Sequence, residues 1–249
     1  DNFLLSLDDL LKKSPDFKKF HPTTVMETGY DILFFWIARM ILMTTYAVNQ
    51  IPFKDVYIHG MLRDEKGQKF SKSADNGIDP LGVIKTYGCD ALRLSVLSGI
   101  SPGSDSKFYK EKIEGARNLV NKIWNISRYI LSQGSGVKED GPAPVAKTLA
   151  DKWILSKLES LIEEVTKLMN NYEFSLALEK LREFTWSDFA DWYLEITKIE
   201  QDKKGMECIE VMMSALREIA NTRYKISHTE TEEAKIARRA LEKIEGMKK

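Results

Sequence analysis

The stretch PTTVMETGYDILFFWIARM, residues 22–40, decides the fold of the first part of this chain. Thr23–Met26 is rich in β-branched residues and Gly29 closes the run, which indicates a strand followed by a sharp turn. From residue 31 to about residue 48 apolar side chains recur at helical spacing, so the sequence predicts a buried helix. KDVYIHGML, residues 54–62, alternates like a second strand. The order strand, helix, strand is typical of a parallel α/β sheet.

The character of the sequence changes near Tyr109, where long amphipathic patterns begin. Earlier, Asp79 followed by proline predicts a helix that stops at Gly88, and Asp90 predicts the cap of another short helix. After the change, the patterns predict four long helices, at 109–131, 149–170, 173–199 and 206–226. A charged surface helix is predicted at 229–249. A linker rich in Gly, Ser and Pro, at 132–147, joins the first two helices. The predicted fold class is therefore α/β plus all-α.

Composition bounds the kind of site that this chain offers. The 249 residues include 37 Lys plus Arg and 37 Asp plus Glu, so any polyanion site must be a local patch. Cys89 and Cys208 are far apart and belong to no metal-spaced cluster, which predicts no metal site and a reducing, cytoplasmic location. The apolar run Ile32–Met43 is interrupted by Arg39 and is too short to span a bilayer, so no membrane is expected.

An acidic residue lies just past the carboxyl end of the first predicted strand. Ligands of open α/β sheets bind at that edge, where Asp31 can hold the hydroxyl pair of a ribose. Ile32 and Trp36 are four residues apart on one helical face, and they can form the wall of a small apolar pocket. An ordinary helix cap beside two core residues fits the same pattern, and so short a motif favours that reading when taken alone.

The loop GQKFSKSADNGIDP, residues 67–80, interrupts the predicted elements with two lysines and two serines. Lys69 and Lys72, with the hydroxyls of Ser71 and Ser73, form a set that can stabilise the charge that develops when a polyphosphate breaks. An exposed basic turn is the alternative. The loop does not match the P-loop pattern, so that class of phosphate site is excluded.

Five ordered segments resemble the valyl-tRNA synthetases, a family of class I aminoacyl-tRNA synthetases. KFSKS, at 69–73, resembles the KMSKS signature, with Phe70 in the place of methionine. The segments are 22–40, 56–80, 87–105, 118–130 and 174–198. The resemblance implies the C-terminal part of a Rossmann-like nucleotide-binding domain, a stem-contact region and an anticodon-binding helical bundle. The implied domains are 1–66, 67–108 (the loop and the stem-contact region), 109–228 and a charged helix at 229–249.

The resemblance also implies a role for each matching residue. Lys69 and Lys72 match the catalytic lysines that bind the phosphates of ATP and stabilise the departing pyrophosphate. Ile32 and Trp36 match the walls of the valine side-chain pocket. The positions that match ATP and adenylate contacts are Gly29 and Asp31 at the ribose, His59 and Gly60 at adenine, and Ser71 and Ser73 in the loop.

The activity implied by the resemblance is that of a valine–tRNA ligase. Such an enzyme activates valine with ATP and Mg²⁺ to valyl-adenylate and transfers the valyl group to tRNA(Val), and the complete enzyme is expected to be a monomer. The HIGH signature and the editing domain of the family have no counterpart here, and the chain begins at Asp1. The chain is therefore interpreted as a fragment that is inactive when isolated. Two alternatives stay open: a non-catalytic paralogue that binds tRNA or a partner, and a synthetase of the isoleucine or leucine type.

The predicted helices offer a second kind of site. Arg117, Lys122 and Arg128 alternate with three asparagines on the first long helix, and such a face can hold phosphate and nucleobases of RNA. A solvated helix face fits the pattern equally well. In WSDFADWYLE the four aromatic residues predict bundle core instead: Trp186, Phe189, Trp192 and Tyr193.

Overall fold

The computed structural model describes residues 6–71, 76–133, 146 and 148–204. The chain divides into two compact units. Unit 1 comprises Asp1–Lys69 with Ile100–Lys107, and unit 2 comprises Phe70–Gly99 with Phe108–Lys249. The predicted helices at 206–226 and 229–249, and most of the linker at 132–147, lie outside the described residues.

Unit 1 begins with two short helices that are capped by serine. Helix α1 spans Leu7–Lys13, and helix α2 spans Pro15–Phe20. The Ser6 hydroxyl accepts a hydrogen bond from the Asp9 amide, and the Ser14 hydroxyl accepts one from the Phe17 amide. Each cap satisfies an amide that the first helical turn leaves without a partner, which explains why such short helices form.

The predicted strand, helix and strand are confirmed in unit 1. Strand β1 spans Thr23–Gly29, strand β2 spans Phe53–His59, and the two pair in parallel from the first residue of each to the last. The crossover is helical throughout, with a 3₁₀ turn, a π-helical segment and an α-helix, α3, at Tyr30–Ile32, Leu33–Ala38 and Arg39–Val48. Asn49 ends it in the left-handed conformation, at φ 56°.

The prediction that this crossover is buried is wrong. Among its described residues Ile37 alone is buried, whereas Phe34 is 77% exposed and Trp36 is 55% exposed. The described residues of unit 1 form only two-stranded sheets, and two strands cannot cover a helix that is apolar on several sides. The helical run Tyr30–Val48 is also longer than the predicted apolar stretch. By length and composition alone it reaches the range of a membrane span, with a mean hydropathy of 1.5.

A small second sheet completes unit 1. Strand β3, Leu62–Arg63, pairs in parallel with strand β4, Ser106–Lys107. A tight turn follows β3: the Gly67 amide donates to the Asp64 carbonyl, and the Asp64 carboxylate accepts from the Gln68 amide. Gly67 has φ +80°, which favours glycine, so this turn reverses the chain just before the lysine-rich loop.

Unit 2 starts with two short helices. Helix α4, Pro80–Tyr87, is capped by the Asp79 carboxylate and ends at Gly88, as predicted. Helix α5, Cys89–Leu97, is preceded by Gly88 as its cap, so Asp90 lies in the first turn instead of capping the helix as predicted. A carboxylate at that position still interacts favourably with the positive end of the helix dipole.

The long helices form the bundle of unit 2. Their bounds confirm the three predictions that fall on described residues: α6 at Lys110–Gln133, α7 at Leu149–Asn170, and one continuous run made of α8 at Phe174–Glu183, a π-helical segment at Phe184–Tyr193 and α9 at Leu194–Lys204. Apolar side chains from all of them share one cluster, which includes Ile130, Ile154, Val165, Leu181 and Phe189. Each of these five is at most 2% exposed.

The π-helical segment changes which aromatic residues are buried. Phe189 and Tyr193 are fully buried and Trp186 is partly buried, but Trp192 is 64% exposed, so its predicted place in the core is wrong. The buried pair Phe184 and Thr185 is followed by the next buried pair five residues later, at Phe189 and Ala190. A π turn closes a hydrogen bond one residue later than an α turn, and the wider turn rotates Trp192 outward.

A buried hydrogen bond connects the start of α7 to the end of the π-helical segment. The Tyr193 hydroxyl donates to the Asp151 carboxylate over 2.8 Å, and both residues are at most 1% exposed. Asp151 also forms a capping box with Thr148, in which each side chain accepts from the other residue's amide. The carboxylate thus has hydrogen-bond donors on both oxygens, which is what its burial requires.

Candidate functional site

The carboxyl ends of β1 and β2 lie side by side at one edge of the sheet. Gly29 is in register with His59, and Asp31 follows Gly29 in the 3₁₀ turn. A Cβ atom on Gly29 would lie 2.8 Å from the Asp31 carboxylate and 3.4 Å from the His59 ring, so a larger residue would displace these groups. The predicted ribose residues and one predicted adenine residue therefore come together.

The loop lysine reaches the same edge. Lys69 Nζ lies 3.1 Å from Asp31 Oδ2, although the two residues are 38 positions apart. The turn after β3 brings Lys69 back beside Arg63, with which it forms an antiparallel bridge. The Lys69 and Asp31 side chains are 55% and 36% exposed, so the pair is open to solvent and to a ligand. The structure thus joins the two features that the sequence identified separately.

The groups around the predicted adenine position are held by the chain itself. His59 Nδ1 lies 2.8 Å from the carbonyl of Gly60, and His59 Nε2 lies 3.1 Å from the carboxylate of Glu27. A Cβ atom on Gly60 would lie 1.7 Å from the carbonyl oxygen of Ser104. The missing side chain at position 60 is therefore required by the close approach of Ser104, a constraint that the local pattern does not reveal.

The remainder of the lysine-rich loop is described in part. Lys72 and Ser73 lie outside the described residues. The Ser71 amide donates to the Asn76 side chain over 3.0 Å. Phe70 packs in unit 2 against an apolar cluster that contains Ala91, Phe108 and Ile113. Phenylalanine in the place of the signature's methionine is therefore an apolar anchor for the loop.

The two residues predicted to contact a valine side chain are accessible. Ile32 is 42% exposed and Trp36 is 55% exposed, and both lie in the helical turns that follow Asp31. Both therefore expose apolar surface in the turns that follow Asp31. Exposed apolar surface of this kind can contact a small aliphatic group.

A polar cleft of about 470 Å³ lies in the helical bundle of unit 2. One side is formed by α6 and presents three asparagine amides and a tyrosine: Asn118, Asn121, Lys122, Asn125, Ile126 and Tyr129. The other side is formed by the π-helical segment and α9: Ala190, Asp191, Leu194, Glu195 and Lys198. Lys198 Nζ lies 5.3 Å from the centroid of the Tyr129 ring. The sequence had indicated the asparagines but not Tyr129 or Lys198, because their meeting depends on how the helices pack.

The three cations predicted to bind RNA differ in their surroundings. Lys122 lines the cleft, where its Nζ is 2.6 Å from the Asp191 carboxylate and 4.3 Å from the centroid of the Trp186 ring. Arg117 and Arg128 are exposed on the same helix and are not among the residues that line the cleft. Lys122 is therefore paired with Asp191 and lies over the Trp186 ring, whereas Arg117 and Arg128 are exposed to solvent.

The described residues offer no cluster of three or more His, Cys, Asp or Glu side chains that could hold a metal ion. At the sheet edge the acidic groups lie beside cations: Asp31 pairs with Lys69, and Asp105 pairs with Arg63. Asp105 accepts from the Met61 amide and from Arg63, and these two bonds, in that order, lower the pKa of its carboxyl. Asp105 is not among the site residues predicted from the sequence.

Two family descriptions match this chain in the order that the fold suggests. Residues 6–109 match the family of class I tRNA synthetases for I, L, M and V. Residues 151–228 match the anticodon-binding domain of tRNA ligases. The first range contains the sheet edge and the loop, and the second contains most of the helical bundle.

Curated relatives are similar over most of the chain. The valine–tRNA ligase of Dehalococcoides mccartyi (strain CBDB1) is 45% identical over 208 residues, which are 83% of this chain and 24% of that protein. The valine–tRNA ligase of Bacillus cereus is 48% identical over 187 residues, which are 75% of this chain and 21% of that protein. The chain thus spans about a quarter of the length of the relatives that it matches.

Solved structures share the fold. Methionyl-tRNA synthetase of Mycobacterium tuberculosis, in complex with methionyl-adenylate, has a TM-score of 0.68 at 23% identity, with 90% of this chain and 45% of that chain covered. A leucyl-tRNA synthetase complex of Agrobacterium radiobacter K84 has a TM-score of 0.63 at 18% identity, with 88% and 27% covered. From the family matches and the relatives together, the chain belongs to the class I aminoacyl-tRNA synthetases and is of the valine–tRNA ligase type.

Proposed function

We propose that this chain supplies the ribose, valine and phosphate contacts of a valine–tRNA ligase, together with helices that bind tRNA(Val). The ligase activates valine with ATP to valyl-adenylate and then transfers the valyl group to the tRNA. The relatives cover far more sequence than this chain, so the proposed activity is that of the longer enzyme. The proposed location is the cytoplasm.

The observation that carries the proposal is the contact between Lys69 and Asp31 at the sheet edge. A carboxylate that can accept the ribose hydroxyls lies 3.1 Å from an ammonium group that can follow the phosphates. ATP presents ribose and phosphates within one molecule, so it would compete for both partners at once. The charge that develops on pyrophosphate is then stabilised by the ammonium group of Lys69, which is already at this edge.

The same edge offers a contact for the amino acid. Ile32 and Trp36 lie one and five residues after Asp31, and they expose apolar surface to which the branched side chain of valine can bind. Valine would then bind on one side of the Asp31 turn and the ribose on the other, so that one adenylate contacts both sides. Mg²⁺ is proposed to arrive with the phosphates of ATP.

The helical bundle supports the tRNA part of the proposal. The cleft presents amide groups from three asparagines, which can donate to and accept from nucleobases, beside a tyrosine ring on which a base can stack. Arg117 and Arg128 are exposed on the same helix and are proposed to contact the phosphate backbone. Lys122 is proposed to bind phosphate after leaving Asp191, or to keep Asp191 in place.

The catalytic part is tested by grafting. Residues 22–198 replace the matching segment of the Bacillus cereus valine–tRNA ligase, and valine-dependent exchange of pyrophosphate with ATP is measured. Lys69→Ala and Lys72→Ala should each slow adenylate formation on the order of 10²-fold, with little change in the KM for valine, because the charge acts on the transition state. Lys54→Ala, in an exposed position of β2, is the matched control and should keep the parental rate. Equal rates for the Lys69 and Lys54 variants would remove the loop from the mechanism.

The isolated 249-residue chain is expected to show no such exchange. It lacks any counterpart of the HIGH signature, so the reacting groups have no partner on the other side of the site. Robust exchange by the isolated chain would contradict this expectation.

A second candidate function is tRNA binding without catalysis, which the separate apolar core of the helical bundle favours. The chain alone should then retain tRNA, with an affinity that falls as salt rises, because phosphate contacts release counterions. Arg117→Ala and Arg128→Ala should reduce the slope of this salt dependence, whereas Lys167→Ala on α7 serves as a control. Binding that is absent or insensitive to salt would contradict the proposed role of the bundle.

A further inference from the structure

The chain segment Ile100–Lys107 lies along the end of β2. The Gly103 amide donates to the Ile58 carbonyl over 2.8 Å, and the Ser106 amide donates to the Met61 carbonyl over 3.0 Å. Between these bonds the Ser104 carbonyl occupies the space that a side chain on Gly60 would need. A segment about forty residues further along the chain is therefore built against the sheet edge of the candidate site.

Asp105 is the acidic residue of this segment, and its carboxylate accepts hydrogen bonds from three donors. Oδ1 accepts from the Met61 amide over 2.8 Å. Oδ2 accepts from Arg63 Nε and, over 3.3 Å, from the Tyr30 hydroxyl. Tyr30 follows β1 and Met61 lies two residues past the end of β2, so one carboxylate connects the two strand ends.

Arg63 extends the connection to the loop. A second nitrogen of its guanidinium group, Nη1, donates to the Gly67 carbonyl over 3.3 Å, within the turn that reverses the chain. Its backbone forms the antiparallel bridge with Lys69, whose ammonium group reaches Asp31. Asp31 is the neighbour of Tyr30 in sequence, which closes a ring of contacts: Asp105, Arg63, Lys69, Asp31 and Tyr30.

An exposed lysine–carboxylate pair stabilises its own geometry weakly, by about 0.2–1 kcal/mol. Lys69 and Asp31 are exposed, so their approach depends on the backbone on either side of the pair. In the ring, that backbone is held at two points by groups bonded to one carboxylate: Tyr30, beside Asp31, and Arg63, paired with Lys69. The ring contains two anions and two cations, so it holds no uncompensated charge.

We propose that Asp105 is a positioning residue of the adenylate site, which sets the separation of Asp31 and Lys69 by holding Tyr30 and Arg63 together. Asp105 acts through these two residues and contacts no substrate. The ring is a property of this chain, whereas its relevance to an adenylate rests on the proposed function. Displacements of about 1 Å in a reacting site can cost about 10²-fold in rate, so a remote carboxylate of this kind matters for catalysis.

The experiment measures the reactivity of individual lysines in the 249-residue chain. Acetylation by a water-soluble N-hydroxysuccinimide ester is followed by peptide mass spectrometry, with Lys19 and Lys54 as references in unit 1. Asp31→Asn removes the charged partner of Lys69 directly. It should therefore give the largest increase in the acetylation rate of Lys69, up to about five-fold, which corresponds to ~1 kcal/mol. Asp105→Asn should raise the Lys69 rate toward that limit and leave the two reference rates unchanged. The matched control is Asp55→Asn on β2, which should change none of the three rates.

An unchanged Lys69 rate in Asp105→Asn would overturn the proposal. If Asp105→Asn raises all three acetylation rates together because unit 1 unfolds, the Tyr30→Phe variant tests the proposal instead. That variant removes one hydroxyl from the ring, and it should raise the Lys69 rate alone by a smaller factor; no change at Lys69 would then overturn the proposal.

A further arm separates this proposal from the proposed function. ATP at millimolar concentration should slow acetylation of Lys69 in the parent chain if the site binds the nucleotide. The absence of that protection would count against nucleotide binding and would leave the result on Asp105 intact. In the grafted enzyme, Asp105→Asn should lower kcat for adenylate formation and leave the KM for valine unchanged. Because a general loss of structure also lowers the apparent kcat without changing KM, kcat is normalised to the number of active sites.

Discussion

The two units bury apolar side chains to very different extents. In unit 2, side chains from every long helix share one cluster, in which Phe189 and Tyr193 are fully buried. In unit 1, the crossover between β1 and β2 exposes most of its large apolar side chains, including Phe34 and Leu42 at 77% and 70%. Long helices bury one face against each other, whereas a crossover helix needs a broad sheet beneath it.

The difference shows that apolar residues at helical spacing can form a buried helix or an exposed one. An apolar helix contributes to stability in unit 2, because its side chains are removed from water. An equally apolar helix in unit 1 leaves its side chains available for ligands or for other parts of a longer protein.

Matched phenylalanine truncations should separate the two units most clearly. Phe189→Ala removes a fully buried ring and should lower the free energy of unfolding by about 3–5 kcal/mol. Phe34→Ala removes a ring that is 77% exposed and should change it by less than about 0.5 kcal/mol. Urea denaturation, followed by circular dichroism, measures both. Similar losses for the two variants would contradict the contrast.

The buried hydrogen bond of the bundle should give the next largest effect on stability. Tyr193→Phe leaves the Asp151 carboxylate without its 2.8 Å donor and should cost about 1–3 kcal/mol. Tyr46→Phe, at a tyrosine that is 74% exposed, is the matched control and should be neutral. If both variants unfold at the same urea concentration as the parent, the bond contributes nothing to stability.

Trp36 should matter for selectivity and not for stability. Trp36→Ala in the grafted enzyme should raise the activity with isoleucine relative to valine, because it removes one wall of the proposed pocket. The change should stay within about 10–200-fold, the range for one methylene in an apolar site, which synthetases themselves helped to define. Competition kinetics with the two amino acids measures the ratio. An unchanged ratio would show that Trp36 does not contact the amino acid, and Phe34→Ala serves as the control.

The smallest effect is expected from the acid titration of Asp105. The Met61 amide and Arg63 hold the pKa of this carboxyl below its ordinary value of 3.8, so the folded state favours the ionised form. The resulting stabilisation of unit 1 is present above pH 3.8 and is lost as the pH falls through the lower pKa of the folded state. Amide exchange of Met61 and Ser106 should therefore differ between the parent and Asp105→Asn at pH 6 and converge as the pH falls below the pKa of Asp105 in the folded state. A difference that is constant with pH would contradict this assignment.

Much of the candidate site follows from local sequence. The strand before Gly29, the helical turn that begins near Asp31 and the parallel second strand are determined by periodicity and by glycine, because these act over a few residues. The ends of parallel strands meet at one edge, so the approach of the loop lysine to Asp31 was also predictable in outline. The exposure of Trp192 was not predictable, because the π turn that precedes it depends on packing that a period of 3.6 residues does not contain.

The sequence by itself determined the order of elements, the family, and the residue types at the strand ends and in the lysine-rich loop. Tertiary structure alone decided that Asp105 joins Tyr30, Met61 and Arg63, and that Gly60 must lack a side chain beside Ser104. The physical reason is the separation along the chain of the residues that interact. Propensity, caps and periodicity are encoded within one or two turns of chain, whereas contacts between residues forty or more positions apart depend on how the whole backbone closes.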